Sequence, residues 1–255
     1  MRISVVTVAF NSTQTIGDTL DSVASQTHSE VEHLVIDGAS KDATLDVIRG
    51  HANERIRCFS EPDRGIYDAM NKGLKAASGD VIGFLNSDDM FADREVLARI
   101  AGAFEDPLVD VCFGDLVYVS YDNQRIVRYW KSRAFMPGDF ARGWCPAHPT
   151  FYVRRRALER AGPFDLDFRL AADSEFMMRY LELVKARSVY LPWVQVRMRL
   201  GGATNASLAN VFAQNREIFA ALRKNRIPFS TFGFVARKLA NRLVQFVVGY
   251  ARAGS

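Results

Sequence analysis

The first 108 residues alternate between short apolar runs and stretches of helical periodicity, and this alternation limits the folds open to the chain. Residues 3–8 form an unbroken, largely β-branched run, as a strand buried on both faces requires. Ile16, Leu20 and Val23 then recur at helical spacing, and a second apolar run follows at residues 33–36. The two patterns alternate again at residues 42–52, 56–59, 66–77 and 81–85. The alternation predicts an α/β fold with an open, mostly parallel central sheet flanked by helices.

Polar residues follow each of the four predicted strands. Asn11 comes after the first strand, Asp37 ends the second, residues 61–64 follow the third and residues 86–89 the fourth. In an open parallel sheet, ligands bind in the crevice at the carboxyl ends of the strands. These four polar groups are therefore expected to converge on one ligand site.

The fourth group, Asn86-Ser87-Asp88-Asp89, brings two carboxylates together with amide and hydroxyl oxygens. Hard oxygen ligands of this kind suit Mn²⁺ or Mg²⁺, which often bind through one or two carboxylates and the phosphates of a substrate. The alternative is an Asp-rich turn that caps a helix predicted at residues 93–104. The tetrapeptide alone leaves both interpretations open.

After residue 108 the pattern changes, although no linker separates the two parts. Strands are predicted at residues 109–113, 116–121 and 125–129, and helices at 153–161 and from about Asp173. A loop rich in Pro, Gly and Trp lies between them, over residues 137–149. The last 45 or so residues predict two further helices that are broken near Pro228.

The order of five motifs resembles that of the family 2 glycosyltransferases, over roughly residues 1–200. The motifs lie at residues 4–11, 35–44, 65–73, 79–80 and 84–89. The resemblance implies the Rossmann-like GT-A fold, with a catalytic domain at 1–204 and basic, amphipathic C-terminal helices at 205–255. It further implies a nucleotide-sugar-binding half at 1–108 and an acceptor-binding half at 109–204.

The resemblance also assigns the donor and cation sites. The metal motif of the family is usually Asp-x-Asp, and here Asn86 occupies its first position, so Asp88 is the implied ligand of Mn²⁺ or Mg²⁺ with Asp89 beside it. Arg64 and Lys72 are candidates for the diphosphate, although Lys72 could equally be solvated. The remaining residues implied for the nucleotide sugar are Thr7, Ala9, Asn11, Asp37, Asn86 and Ser87.

The catalytic base of such a transferase is expected in the second half. The family places an acidic pair at the start of a helix after a Gly-Phe-Asp-like turn, and residues 162–165 followed by 171–175 match this arrangement. Ala172 replaces the usual Glu, so Asp173 is the implied base and Glu175 the second choice. A helix N-terminus also favours a carboxylate for purely structural reasons.

Two aromatic residues of the loop before Phe151 resemble the acceptor side of the family. Trp144 could stack on a sugar ring, and His148 could face the acceptor. Either side chain could instead be packed structurally.

The charge is uneven along the chain. Seven cations and no acidic residue follow Glu217, so with a net charge of +4 residues 1–217 carry about −3. Apolar residues of the tail recur at helical spacing, and residues 229–252 therefore predict a helix for an anionic membrane surface. The alternative is packing against the catalytic domain or a second subunit in a homo-oligomer. No signal peptide is recognised at Met1, which predicts a cytoplasmic protein, peripheral at the inner face of the cell membrane.

These features predict an inverting glycosyltransferase that moves a sugar from a nucleoside-diphosphate donor, with UDP favoured. The resemblance implies a saccharide or lipid-linked acceptor in bacterial surface polysaccharide or glycolipid synthesis. A sugar-phosphate nucleotidylyltransferase would need a Gly-rich loop after the first strand, and a dehydrogenase a GxGxxG motif, but residues 9–13 contain no glycine. A catalytically weakened sugar-nucleotide-binding protein remains an alternative because of Asn86 and Ala172. Nucleic acid is not expected as a partner, because the cations cluster in the tail.

Overall fold

The computed structural model describes residues 1–123, 125–201 and 208–237. Strands and helices alternate through the first part, as the apolar pattern predicts. The elements are β1 (Ile3–Ala9), α1 (Ile16–Ala24), β2 (Val31–Asp37), α2 (Thr44–Gly50), β3 (Ile56–Ser60), α3 (Ile66–Ala76), β4 (Val81–Phe84), β5 (Asp89–Phe91) and α4 (Val96–Ala103).

The second part adds the elements β6 (Val111–Val119), β7 (Ile126–Trp130), β8 (Tyr152–Arg154), α5 (Arg155–Ala161), α6 (Ala172–Met178), β9 (Ser188–Arg199) and α7 (Leu208–Lys224). A π-helical turn, Arg179–Leu183, continues α6, and residues 231–237 are again helical. The predicted break near Pro228 lies between α7 and the helical residues 231–237. The predicted amphipathic helix falls outside the described residues from position 238 onward.

Nine described strands form a single sheet with the order β3-β2-β1-β4-β8-β6-β9-β5, and β7 pairs with β6 outside this path. The β3-β2-β1-β4 part is parallel throughout. Beyond β4 the directions are mixed, because β8 is antiparallel to both neighbours while β6 and β9 are parallel. The predicted α/β class with a central sheet flanked by helices is confirmed.

Strand β9, the longest among the described residues, is not predicted from the sequence. Its alternation is interrupted at Pro192 and Trp193, where the pairing with β6 jumps from Gly114–Leu191 to Asp115–Val194. Proline cannot donate to a strand ladder and is tolerated at such a bulge. Because of this interruption, the sequence shows two short runs where the structure has one long strand.

Apolar side chains fill both faces of the sheet and fix α6 in place. Phe176 of α6 stacks on Phe164 with ring centroids 4.2 Å apart, and Phe164 also contacts Phe84 of β4 edge to face. Phe151 also packs edge to face against Phe176. These rings are almost completely buried, so the first turn of α6 is held rigidly at the end of β4.

A buried histidine, His33, makes the free energy of unfolding depend on pH. The Nε2 atom of His33 lies 2.9 Å from Oγ1 of Thr7, and burial lowers the pKa of His33 to about 4. Because the imidazole is neutral in the folded protein, the unfolded chain takes up a proton first as the pH falls through about 6.5. His33 therefore contributes its full stability above that pH and loses it towards pH 4.

We expect this histidine to lower the free energy of unfolding by about 2 to 3 kcal/mol between pH 7.5 and pH 4.5. Urea denaturation at both pH values, with native protein and with His33→Gln, measures its share. The variant should lose about that much less stability over the interval. Equal losses in the two proteins would contradict the assignment.

Candidate active site

A cavity of about 1040 Å³ opens at the carboxyl ends of the parallel strands. The loops after β1 and β4 line one side, and the 144–149 loop and the start of α6 line the other. The cavity is therefore built from both halves of the chain, at the place where a sheet of this topology binds ligands.

Four of the residues predicted for the nucleotide sugar line this cavity, namely Ala9, Asn11, Asn86 and Ser87. Asn11 has a positive φ of 50°, and its Oδ1 atom accepts a hydrogen bond from the amide of Lys41 at 2.9 Å. The hydroxyl oxygens of Ser87 and Ser12 lie 2.8 Å apart. These contacts tie together the loops that follow β1, β2 and β4.

Two residues predicted for the nucleotide, Thr7 and Asp37, do not line the cavity. Thr7 is fully buried within β1, and its side chain points to His33 on β2. Asp37 is fully buried as well, and its carboxylate accepts hydrogen bonds from the Ser40 amide at 3.0 Å and from the hydroxyls of Ser40 and Ser60 at 2.5 and 2.6 Å. Asp37 thus organises the loop after β2 rather than lining the cavity.

The two cations predicted for the diphosphate are also placed elsewhere. The Arg64 side chain is exposed and pairs with Asp68, at 3.3 Å. Lys72 donates to the Pro62 carbonyl at 2.7 Å and pairs with Glu61 at 2.9 Å, so it anchors the loop before α3. Neither side chain lines the cavity. The cations that do so among the described residues are Arg128, Arg169 and Arg199.

The predicted metal motif is divided between the cavity and the core. Asp88 is partly buried and lines the cavity, whereas Asp89 is fully buried at the start of β5. The Asp89 Oδ2 atom accepts a hydrogen bond from Asn86 Nδ2 at 3.2 Å, and its Oδ1 atom has no partner among the described residues. Asp89 therefore does not line the cavity, and its role as a metal ligand stays a prediction.

The surroundings of the motif disfavour two ionised carboxylates. Burial raises the pKa of Asp88 and, together with the nearby Asp88 charge, raises that of Asp89 well above its ordinary value. Arg199 lowers both pKa values and donates to the Asp88 carbonyl at 3.4 Å. Arg199 also pairs with Asp18 on α1, so β9 and α1 together hold the metal loop.

The predicted base, Asp173, lines the cavity in the first turn of α6. Its Oδ1 atom accepts hydrogen bonds from the Tyr67 hydroxyl at 3.3 Å and from the Ser174 amide at 2.7 Å. Glu175, the second choice, is fully buried and is bound by Arg179 at 2.8 and 2.9 Å. The Glu175 carboxylate stabilises α6 from within and does not line the cavity, and its role as an alternative base stays a prediction.

Both predicted acceptor-side residues line the cavity and are also packed against neighbouring rings. Trp144 contacts Phe113 edge to face, and the Arg133 guanidinium lies 4.4 Å from its ring centroid. His148 stacks on Phe84, and its Nε2 atom has no partner among the described residues. Burial lowers the pKa of His148, which favours the neutral ring. For both residues, a contact with the acceptor and structural packing are thus compatible.

Tyr67 is a residue that the sequence analysis missed. It lines the cavity, and burial raises its pKa well above 10, so the phenol remains a hydrogen-bond donor to Asp173. Its position in the 65–73 motif was visible, but its partner lies 106 residues away. Only the tertiary structure brings the two side chains together.

Tyr67→Phe removes this hydrogen bond and leaves the ring that stacks on Phe164. We expect a loss of about 1 kcal/mol, or roughly fivefold in kcat. Tyr190→Phe, which removes a hydroxyl bonded to Asp115, is the control and should leave kcat close to the native value. An unchanged kcat in Tyr67→Phe would exclude a role for the hydroxyl at Asp173.

No described helix is both long and apolar enough to cross a membrane. Among the same residues, no three His, Cys, Asp or Glu side chains cluster as a metal site.

The fold is that of the GT-A glycosyltransferases. The fold resembles that of S. aureus TarS 1–349 in complex with UDP-GlcNAc, with a TM-score of 0.68 and 21% identity over 87% of this chain and 66% of that chain. It also resembles the mannosyltransferase PcManGT of Pyrobaculum calidifontis in complex with GDP-Man and Mn²⁺, with a TM-score of 0.67 and 20% identity over 99% of this chain and 75% of that chain.

Sequence comparison identifies the family. The profile of glycosyl transferase family 2 matches residues 4–165, and the chain belongs to this family. An uncharacterized glycosyltransferase of Mycobacterium tuberculosis strain H37Rv is 34% identical over 181 residues, 69% of this chain and 68% of that protein. A PGL/p-HBAD biosynthesis glycosyltransferase of Mycobacterium bovis strain BCG is 32% identical over 180 residues, with the same coverage. The chain is therefore a glycosyltransferase, as the motif order predicts.

Proposed function

We propose that the chain is an inverting glycosyltransferase that uses a nucleoside-diphosphate sugar, with UDP as the favoured nucleotide. The observation that carries this proposal is that Asp88 and Asp173 line the same cavity, one from each half of the chain. A donor bound along the first half would place its sugar between the motif of Asp88 and the carboxylate of Asp173. The division at residues 108 and 204 into donor, acceptor and C-terminal parts belongs to the same proposal.

In this mechanism Asp173 acts on the acceptor. Its carboxylate accepts the proton of the acceptor hydroxyl while that oxygen attacks the anomeric carbon, and the bond to the nucleoside diphosphate breaks on the opposite face. A single displacement of this kind inverts the anomeric configuration. Tyr67 and the Ser174 amide hold the carboxylate in position, so little reorganisation is needed when the proton moves.

The residues present fit a divalent cation of modest affinity. Asp88 offers a carboxylate at the cavity, and the buried Oδ1 atom of Asn86 has no hydrogen-bond partner among the described residues. Mg²⁺ and Mn²⁺ need few protein ligands when the donor phosphates complete the shell. When bound, the ion would offset the charge on the leaving diphosphate. Arg199 adds a fixed positive charge beside the same loop.

The acceptor is proposed to be a saccharide or a lipid-linked saccharide of bacterial surface polysaccharide or glycolipid synthesis. Trp144 and Trp130 line the cavity and offer flat apolar faces on which a sugar ring or an aromatic aglycone can stack. The name of the Mycobacterium bovis relative, a PGL/p-HBAD biosynthesis glycosyltransferase, supports the glycolipid branch.

Attachment to the inner face of the cell membrane is proposed through the C-terminal segment. Phe234 is almost completely buried and packs edge to face against Phe219 of α7, which anchors the helix at 231–237. Phe232 and Val235, which belong to the predicted apolar stripe, are 85% and 40% exposed. An anchored helix that exposes an apolar stripe next to cations suits an anionic lipid surface.

Co-sedimentation with anionic vesicles should weaken when Phe232 and Val235 are both replaced by serine, and unchanged binding would oppose this attachment.

A panel of nucleotide sugars tests the transferase itself. Thermal unfolding should shift upward with the correct donor in the presence of Mn²⁺, less so with EDTA, and slow donor hydrolysis should follow the same preference. A sugar-phosphate nucleotidylyltransferase would instead form a nucleotide sugar from sugar phosphate and nucleoside triphosphate. A weakened binding protein would show the shift without hydrolysis or transfer.

A further inference from the structure

Helix α7 closes one end of the cavity, although it belongs to the proposed C-terminal part of the chain. Val211, Gln214 and Ile218 line the cavity from one face of α7, because residues three and four positions apart lie side by side on a helix. Leu170, just before α6, and Asp173, in its first turn, line the cavity as well. The C-terminal part of the chain therefore shares a cavity with the carboxylate proposed as the base.

The start of α6 has no capping side chain of its own. Its N-cap residue is Ala171, whose methyl group cannot accept a hydrogen bond. The backbone amides at a helix start need acceptors from elsewhere. Glu217 of α7 supplies one, because its Oε2 atom accepts hydrogen bonds from the amides of Leu170 at 2.8 Å and of Ala171 at 3.0 Å. One carboxylate from a distant part of the chain therefore takes the place of a local cap.

Further hydrogen bonds hold the same junction between α6 and α7. Gln214, one turn earlier on α7, donates from its Nε2 atom to the Leu170 carbonyl at 3.3 Å. The Ala171 carbonyl accepts a hydrogen bond from the Glu175 amide at 3.0 Å, which opens the helix. Asp173 lies between these two residues. The position of Ala171 therefore sets the direction in which the first turn carries the Asp173 side chain.

Other contacts keep α7 itself in place. Ala221 and Leu222 of this helix are fully buried, and Lys224 at its end pairs with Asp165 in the turn before α6. These contacts do not involve Glu217. Loss of the Glu217 carboxylate should therefore release the start of α6 and leave α7 where it is.

We propose that Glu217 is a positioning residue for the reaction, and that it acts by holding the start of α6 so that the Asp173 carboxylate meets the acceptor hydroxyl. The inference rests on the proposed function, in which Asp173 is the base. A displacement of about 1 Å at a reacting group can cost about 10²-fold in rate, so the backbone contact next to the base affects turnover far more than donor binding. Helix α7 is then a part of the catalytic unit.

Donor hydrolysis tests this role without a known acceptor. Water attacks the anomeric carbon, Asp173 accepts its proton, and the nucleoside diphosphate leaves. UDP-, GDP- and dTDP-linked hexoses are offered to the full chain with Mn²⁺, and the donor that is hydrolysed fastest is kept for the variants. A native protein that hydrolyses none of them contradicts the proposed function itself, and the inference falls with it.

The variants at position 217 separate reach from charge. Glu217→Ala and the shorter Glu217→Asp should lower kcat about tenfold or more, while the donor Kd stays within about twofold of the native value. Glu217→Gln keeps an acceptor oxygen at the same reach and should stay within about threefold of the native kcat. In the Asp173→Asn protein, Glu217→Ala should cost less than about threefold, because a residue that acts through Asp173 then has little left to affect.

Lys224→Gln is the matched control, because it breaks the ion pair of α7 with Asp165 and leaves the hydrogen bonds of Glu217 in place. It should hydrolyse the donor at close to the native rate. The positioning role is overturned by an equal loss in Lys224→Gln, by a native kcat in Glu217→Ala, or by a loss that lies in the donor Kd. A full further loss in the Asp173→Asn protein also overturns it. Native-like hydrolysis by Asp173→Asn alone contradicts the proposed base instead, so the two failures are distinguishable.

Discussion

Asp173→Asn should reduce glycosyl transfer by about a thousandfold while donor binding stays within a factor of two. The expectation follows from removal of the group that accepts the acceptor proton, a contribution of typically 10² to 10⁴ in rate. Asparagine keeps an oxygen for the Ser174 amide and the Tyr67 hydroxyl, so the first turn of α6 should remain intact. Single-turnover rates of nucleotide release, with donor affinity measured by titration, separate the two quantities.

Asp167→Asn is the control for charge, since Asp167 is exposed in the turn before α6. It should transfer at close to the native rate. Melting temperatures of both variants show whether either substitution causes a general loss of structure. Residual transfer above about a tenth of the native rate in Asp173→Asn would remove Asp173 as the base.

The second large effect is expected at the metal motif. Asp88→Asn removes the carboxylate that this motif presents to the cavity. We expect it to abolish the increase in donor affinity on adding Mn²⁺ and to lower kcat/KM by about 10²-fold, which corresponds to roughly 2.7 kcal/mol of transition-state stabilisation. Titration of the donor nucleotide with Mn²⁺ and with EDTA measures the first effect directly.

Asp89→Asn tests whether Asp89 binds the cation or only supports the loop of the metal motif. Asp89 is fully buried and receives a hydrogen bond from Asn86, so this variant should retain the response to Mn²⁺ even if its stability changes. The opposite result, with Asp89→Asn losing the response and Asp88→Asn keeping it, would reverse the assignment of the two residues.

Local periodicity predicted the parallel half of the fold almost residue by residue. The apolar runs at 3–8 and 33–36 lie within β1 and β2, and the stripe of Ile16, Leu20 and Val23 is the buried face of α1. Each of these elements is buried against neighbours that are close in sequence, so a short window contains the necessary information. In β9 the bulge at Pro192 and Trp193 breaks the pattern that such a window detects.

The candidate site was predictable as a set of loops but not as a set of side chains. Asp88 and Asp173 line the cavity as expected, whereas Asp37 and Lys72 carry suitable groups that local hydrogen bonds occupy. Whether a carboxylate at a strand end faces a ligand or a neighbouring loop depends on contacts such as that of Asp37 with Ser60. No short stretch of the sequence reveals these contacts.

The placement of β9 between β6 and β5 also has a consequence for the order in which the protein acquires activity during synthesis. Met198 pairs with Asp89, and Arg199 reaches the carbonyl of Asp88, more than a hundred residues earlier in the chain. The β3-β2-β1-β4 part can assemble while the rest is still being translated, since its contacts are comparatively local. Until residue 199 has left the ribosome, the loop that would hold the cation lacks these two contacts, even if the donor half is already complete.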